Sequence, residues 1–264
     1  ANDGSWYQSW YACSIALGPR YQVCQLPWTY YYGWIKNCNT VLSLGGENPD
    51  EKFKAGEGIA YAMRAMFYMD LARMYAPETY GKNKEALTVP LITEKGTEDM
   101  YNNPRLTNEK MFEFILSDLN KAEEYLAGYK RENKYTPDLS VVYGLKARAY
   151  LTMEDWANAE KYAKLAQQGY TEMTGEEYTS KTTGFNTANS SWMFATHFKS
   201  DDPNLRDNDG DTSWASQMII EIGGSKGDCG YAANYGYPLV VDRHLYETIP
   251  ATDFRKNCFV DFNI

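Results

Sequence analysis

Histidine and cysteine, the side chains that most often bind transition metals, are scarce in this sequence. The two histidines, His197 and His244, share no metal-ligand spacing, and the five cysteines match neither a zinc ribbon nor a CxxC motif. The sequence therefore gives no support for a catalytic metal. We expect the cysteines to be buried free thiols, with a Cys13–Cys24 disulfide as an undecided alternative. The cysteines therefore do not show whether the protein works in an oxidising or a reducing compartment.

Long apolar runs and basic patches are also missing. No apolar stretch is long enough to span a bilayer, and the chain has a net charge of -9 without a local basic cluster. An acidic chain repels phosphates, so we expect no nucleic-acid partner. The sequence starts at Ala1 without the basic and apolar segments of a signal peptide. Because both ends resemble interior sequence, we expect a fragment of a longer protein.

The strongest helical signal lies at residues 55–76, where Ala, Met, Leu and Arg dominate and no proline occurs before Pro77. Apolar residues cover most of the circumference of this helix, which predicts a buried helix packed on several sides. A narrow polar stripe remains, formed by Glu57, Tyr61, Arg64 and Tyr68.

This polar stripe has two interpretations. Glu57 and Arg64 could form a pair that grips a ligand, or they could lie in a satisfied polar seam between helices. We favour the seam, because a buried charge normally needs a partner. We expect Arg64 to pair with Glu57 or with loop carbonyls.

Four further helices are predicted around this one. An apolar row after Pro27 runs from Trp28 to Leu42, and Gly45-Gly46 supplies its end. Residues 77–106 form a long loop rich in proline and glycine. The three remaining helices begin after the N-cap residues Thr107, Asp138 and Asp155.

The last two of these helices, within 138–169, carry the small and aromatic packing positions of a tetratricopeptide repeat. Small residues let two antiparallel helices approach closely, and a tyrosine fills the gap between them. Overpacking at Ala163 should therefore destabilise the pair. The positions concerned are Ala147, Tyr150, Ala159, Ala163 and Ala166.

Periodicity fades after Tyr170. Residues 191–198 could form a strand, and residues 213–222 suit a short helix or a strand equally. Asp207–Asp211 resembles the start of a calcium loop, but the glycine and the closing glutamate of an EF-hand are absent. We favour a solvated acidic turn, although binding of a structural calcium ion stays an open alternative. We expect no cofactor.

An ordered set of motifs resembles the SusD/RagB-like nutrient-binding lipoproteins of the Bacteroidetes outer membrane. EGIAYAMRAMFYMDLARMYAPE followed by LTVPLITE is similar to the family's EAxxxRAxxYxxLxxxY helix and VPLIT loop. FILSDLNKAEEYL, GLKARAYLTMEDWANAEKYAK and TDFRKN are similar to three later family motifs. The match is good over 28–170. Two departures are that Gly58 follows Glu57 where the family has alanine, and that family members are much longer.

The resemblance implies a mostly α fold of tetratricopeptide-like antiparallel helix pairs with long irregular loops. It implies a single domain over 1–264, with a helical core at 28–170, loop-rich ligand-binding regions at 1–27 and 171–264, and family parts missing at both ends. Such proteins are held on the cell surface by an N-terminal lipid anchor, which this sequence does not include. They capture glycans, or peptides in some members, for a SusC-like TonB-dependent transporter, and they do no chemistry.

A sugar site needs flat aromatic faces and planar polar side chains, and aromatic residues make up 15% of this chain. The sequence places such residues in two loop clusters, one near each end, and we expect both clusters to meet on one side of the helical body. The predicted stacking residues are Trp6, Trp10, Tyr21, Trp214, Tyr231 and Tyr235.

Two other functions compete with glycan binding. A tetratricopeptide scaffold would grip a peptide on its concave face. A glycoside hydrolase would need two carboxyl groups about 5–9.5 Å apart across a cleft, and a sequence does not give that distance. We predict a surface protein that binds an oligosaccharide and is not an enzyme.

Overall fold

The computed structural model describes residues 18–45, 49–96, 101–180, 182–183, 187–196 and 241–259. The chain divides into two compact units. The helical unit is Ile15–Tyr170 with Trp192–Phe194, and the second unit holds the rest of the chain. The fold is mostly α-helical, as the sequence predicts. The single domain expected over 1–264 stays a prediction.

The helical unit contains five α-helices and a two-stranded ribbon among its described residues. Helix α2 packs against α1 on one side and α3 on the other, and α4 pairs with α5. The elements are α1 (Gln22–Gly45), α2 (Glu51–Tyr75), β1 (Leu87–Pro90), β2 (Arg105–Thr107), α3 (Asn108–Tyr125), α4 (Leu139–Thr152) and α5 (Trp156–Ala166).

The three predicted N-caps are confirmed. The side chain of Thr107 accepts a hydrogen bond from the backbone N–H of Lys110 at 3.3 Å. Asp138 and Asp155 accept equivalent bonds, of 3.1 and 3.2 Å, from the residues three positions later. Each cap satisfies a backbone donor that the first helical turn leaves free, so these helix starts are determined locally.

Helix α1 differs from the prediction at its start. It begins at Gln22, six residues before Trp28, and contains Pro27. A proline inside a helix lacks one N–H donor and usually breaks the helix, which is why the sequence indicated a boundary there. Contacts with Tyr75 of α2 hold the helix on both sides of this proline: the Tyr75 hydroxyl donates to the Cys24 carbonyl, and the Tyr75 ring packs edge-on against Trp28.

The predicted loop at 77–106 contains a β-ribbon that the sequence analysis missed. Strands β1 and β2 pair antiparallel, with Leu87 opposite Thr107, Pro90 opposite Arg105 and an irregularity between them. Tyr68 fastens the adjoining chain to α2: its hydroxyl donates to the Ile92 carbonyl at 2.7 Å and accepts from the Ile92 N–H at 2.8 Å. These strands are very short and their partners lie far apart in sequence, so no local pattern reveals the pairing.

The core of the unit is centred on α2, as predicted. Ala62, Ala65 and Leu71 are completely buried between its neighbours. Gly58, the departure from the family pattern, lies where α2 approaches the end of α3, and a Cβ there would stand 2.8 Å from Cγ of Leu126. Glycine thus permits a close approach that alanine would force apart.

Helices α4 and α5 form the predicted antiparallel pair, and among the described residues of 140–167 none is in a strand. The rings of Tyr150 and Tyr162 stack with centroids 5.5 Å apart, while Gly144 lies opposite Ala166. The prediction for Ala163 is wrong, because this residue is exposed. Helix α5 turns Ala159 and Ala166 inward, and Ala163 lies outside their row.

The second unit contains short elements. Helix α6 (Gly175–Thr179) starts with a capping box between Thr174 and Glu177, and Phe254 packs against Gly175 and Tyr178. Helix α7 (Arg243–Thr248) precedes a 3₁₀-helix at Phe254–Cys258.

Residues 191–196 form no strand, so the strand predicted at 191–198 is wrong for its described part. Among described cysteines, Cys24, Cys38 and Cys258 are free thiols.

Candidate functional site

One of the six predicted stacking residues lies in the described part of the chain. Tyr21 stands directly before α1, and 51% of its surface is exposed. Its backbone carbonyl accepts from the N–H groups of Cys24 and Gln25, so the first turn of α1 fixes its position. The other five lie outside the described residues, as do Asp207–Asp211 and His197; their meeting at one site stays a prediction. These five are Trp6, Trp10, Trp214, Tyr231 and Tyr235.

Arg64 is the centre of a buried polar cluster rather than part of a binding surface. Its Nε and Nη2 donate to the two carboxylate oxygens of Asp118 at 2.7 and 2.9 Å. Its Nη1 donates to Oδ1 of Asn39 at 2.7 Å and to Glu94 at 2.5 Å. The guanidinium therefore joins α1, α2, α3 and the loop after β1. The predicted seam is confirmed, and Arg64 is only 2% exposed.

The predicted pairing of Arg64 with Glu57 is wrong. The two residues lie seven positions apart on α2, which is about 10 Å along the axis, whereas helix neighbours are three or four positions apart. Glu57 is itself buried, and its Oε1 has no hydrogen-bond partner. Burial raises the pKa of Glu57, and the negative charge of Glu94 raises it further.

A cavity of about 630 Å³ opens at the C-terminal end of α2 in the helical unit. Its volume falls in the range typical of small-molecule sites. Aromatic and polar side chains share its wall, a mixture that suits a ligand with apolar faces and several hydroxyl groups. The wall includes Tyr31, Asp70, Arg73, Glu78, Tyr80 and Phe112.

Asp70 organises the polar side of this cavity. It accepts hydrogen bonds from the Tyr31 hydroxyl at 3.2 Å and from Nη2 of Arg148 at 3.1 Å, and Arg73 lies 3.9 Å away. Burial raises the pKa of Tyr31, and Asp70 adds to the effect, so the phenol stays a neutral donor. The negative charge of Asp70 is largely balanced by the guanidinium groups of Arg148 and Arg73. This side of the cavity therefore offers hydrogen-bonding groups without a strong net charge.

No pattern in the sequence indicates this cavity. Tyr31 lies in the predicted packing row of α1, and Asp70 lies outside the polar stripe that the sequence predicts on α2. Only the arrangement of α1, α2 and α4 brings Tyr31, Asp70 and Arg148 together. Among the described residues, no group of three or more His, Cys, Asp or Glu side chains is arranged to hold a metal ion.

The paired helices packed around α2 define a helical-repeat fold. The model of the SusD-like family described as "Starch-binding associating with outer membrane" matches residues 2–151, more than half of the chain. The protein therefore belongs to this SusD-like family, whose members are binding proteins. The fold and family expected from the sequence motifs are confirmed.

Solved structures agree with this assignment. A SusD-like carbohydrate binding protein from Bacteroides vulgatus is 25% identical, with a TM-score of 0.61 over 71% of this chain and 40% of that one. A putative sugar binding protein from the same species is 27% identical, with a TM-score of 0.57 over 73% and 44%. A SusD-like protein from Bacteroides fragilis shares the fold at 24% identity, with a TM-score of 0.64 over 86% and 43%.

The chain thus spans less than half the length of these relatives. No curated protein matches it. None of the helices in the described ranges is both long enough and apolar enough to cross a membrane.

Proposed function

We propose that this protein binds an oligosaccharide at the cell surface and passes it to a SusC-like TonB-dependent transporter. The observation that carries this proposal is the match to the SusD-like family over residues 2–151. The neighbour from Bacteroides vulgatus that is named as carbohydrate binding supports the ligand class. An N-terminal lipid anchor beyond this sequence would hold the protein on the outer membrane.

The proposed stacking platforms are the aromatic residues of the two loop clusters. The position of Tyr21 supports this assignment, because the residue is exposed and its carbonyl is hydrogen-bonded to the first turn of α1. Flat rings cover the apolar faces of a sugar, and amide or charged side chains bind its hydroxyls. The other proposed platforms are Trp6, Trp10, Trp214, Tyr231 and Tyr235.

We propose further that residues 1–264 belong to one SusD-like domain that includes more polypeptide than this sequence. The relatives support this, since the chain covers 40–44% of their length. Peptide capture is the alternative function. The cavity beside Asp70 and Arg73 has charged groups that could bind peptide backbone as well as sugar hydroxyls.

A glycan array and a peptide library, probed with the same purified chain, test the proposed function. We expect retention on one class of oligosaccharide, with no reducing ends released when that glycan is incubated with the protein. Binding of peptides alone would favour the alternative. Release of shorter sugars by pure protein would show an enzyme and overturn the assignment.

A further inference from the structure

The cavity at the C-terminal end of α2 has a wall that is held in place from within the helical unit. Asn108, the first residue of α3, is 2% exposed and clamps the segment that follows α2. Its Nδ2 donates to the carbonyl of Glu78 at 3.1 Å and to that of Asn83 at 2.8 Å. Both Asn108 and Glu78 line the cavity, so this part of its wall is formed before any ligand binds.

Two carbonyl groups of the wall lack a backbone donor. Helix α2 ends at Tyr75, and Arg73 and Met74 in its last turn line the cavity. The Arg73 carbonyl would bond to the N–H four residues later, but that residue is Pro77, which has no N–H. No backbone N–H of the described residues donates to the Met74 carbonyl either. Because helix carbonyls point towards the C-terminal end, these acceptors face the end at which the cavity opens.

Asn108 supplies a further free acceptor. Its Nδ2 makes both of the bonds above, and no described residue donates to its Oδ1. Among the described side chains, Oε1 of Glu57 is the only fully buried oxygen or nitrogen without a partner. Oδ1 of Asn108 is therefore open to the cavity, although the residue as a whole is buried.

The charged side chains of the wall add acceptors as well. Asp70 and Glu78 are carboxylates, while Arg73 is the only cationic side chain among the described residues that line the cavity and lies 3.9 Å from Asp70. A ligand that fits this wall must therefore bring hydrogen-bond donors. Exposed Met74 and the ring of Pro77 provide apolar surface beside the acceptors.

We propose that this cavity, the Asp70 cavity, is a sugar subsite that takes one neutral hexose residue. The proposal rests on the proposed function and adds a place at which the oligosaccharide is bound. A hexose carries several hydroxyl groups on a compact ring, and each hydroxyl turns to donate wherever an acceptor is available. The C–H faces of the ring suit the apolar part of the wall.

The wall disfavours two other occupants. A polypeptide segment brings one N–H and one C=O per residue, so about half of its backbone polar groups would meet acceptors. A uronic acid would place its carboxylate beside Asp70, Glu78 and the negative end of α2. The Asp70 cavity should therefore prefer neutral hexoses to peptides and to acidic sugars.

NMR titration of the full 264-residue chain with D-glucose, D-galactose and D-mannose, and separately with the corresponding uronates, tests the proposal. We expect a millimolar dissociation constant for at least one neutral hexose, and binding of its uronate about tenfold weaker. Asp70→Asn keeps the shape of the side chain but removes its charge. It should weaken hexose binding about tenfold and reduce the discrimination against the uronate. Asp50→Asn makes the same change at the other end of α2, where the side chain forms no cap hydrogen bond, and should leave both unchanged.

A second pair of variants does not depend on Asp70, which also holds Tyr31 and Arg148. Thr79→Trp adds bulk at an exposed residue of the wall whose backbone carbonyl, rather than its side chain, accepts the hydrogen bonds of the turn. It should abolish hexose binding without lowering the melting temperature. Leu151→Trp, on the exposed surface of α4, should not affect binding.

Three results of these titrations would overturn the proposal. They are no binding of any neutral hexose up to about 50 mM, equal binding of hexose and uronate, and hexose binding that both Asp70→Asn and Thr79→Trp leave unchanged. Binding of dialanine in place of the hexoses would overturn it too and favour peptide capture. A glycan that the parent chain and both variants retain equally on the array would overturn the subsite but leave the proposed function standing.

Discussion

Arg64 on α2 and Asp118 on α3 face each other through two parallel hydrogen bonds of 2.7 and 2.9 Å. Both side chains are buried, and Nη1 of the guanidinium donates to Asn39 and to Glu94. The pair lies where α1, α2 and α3 meet. It therefore belongs to the structural core of the helical unit, and its loss should affect folding rather than ligand binding.

Replacing Arg64 should destabilise the protein strongly. Arg64→Met leaves Asp118 and Glu94 without their cationic partner, and we expect a loss of about 3 kcal/mol in the free energy of unfolding, measured by urea denaturation. Glycan affinity of the folded fraction should stay the same. Arg73→Met, at an exposed position with a loose contact to Asp70, is the control and should change stability very little. Unchanged stability in Arg64→Met would contradict the structure.

Glu57 should make stability depend on pH. Because its pKa is raised by folding, the folded protein binds this proton more tightly than the unfolded chain. The resulting stabilisation is fully present below the ordinary pKa of 4.5 and is lost as pH rises through the raised value. Glu57→Gln, which carries no charge, should be more stable than the parent by about 1 kcal/mol at neutral pH.

The difference in stability between the parent and Glu57→Gln should shrink towards zero in acid, because Glu57 is then protonated in both the folded and the unfolded protein. Urea denaturation of parent and variant at several pH values measures it. Glu124→Gln changes an exposed glutamate of α3 and is the control. A stability difference between parent and Glu57→Gln that is independent of pH would show that folding does not raise the pKa of Glu57.

The packing of α4 against α5 distinguishes two alanines of the same helix. Ala166→Leu inserts bulk where Ala166 faces Gly144, and it should cost about 1–3 kcal/mol. Ala163→Leu adds the same bulk at an exposed position and should leave the melting temperature nearly unchanged. Equal effects of the two variants would mean that α5 packs with a different face.

The proposed sugar platforms can be tested one ring at a time. Trp10→Ala and Trp214→Ala should each weaken binding of the identified glycan by about 2 kcal/mol or more, measured by calorimetry on variants shown to be folded. Trp156→Ala, at an exposed tryptophan of the helical unit, should have no effect. If neither Trp10 nor Trp214 matters, the site lies elsewhere and the Asp70 cavity becomes the next place to test.

Local signals in the sequence predicted most of the helical unit. A helix start depends on a few consecutive residues, and so Thr107, Asp138 and Asp155 could be identified as caps from sequence alone. The burial of α2 and of Arg64 followed from apolar periodicity and from the cost of an isolated buried charge. The family resemblance rested on motifs in these helices, on the LTVPLITE segment and on TDFRKN near the C-terminus.

The tertiary structure decided which residues meet. Asn39, Glu94 and Asp118 reach Arg64 from three other segments, and no spacing along the chain links them. The same holds for the β1–β2 ribbon and for the cavity beside Tyr31 and Asp70. Sequence periodicity gives the face on which a side chain stands, but the rotation of each helix against its neighbour decides which position on that face is covered, as Ala163 and Ala166 show.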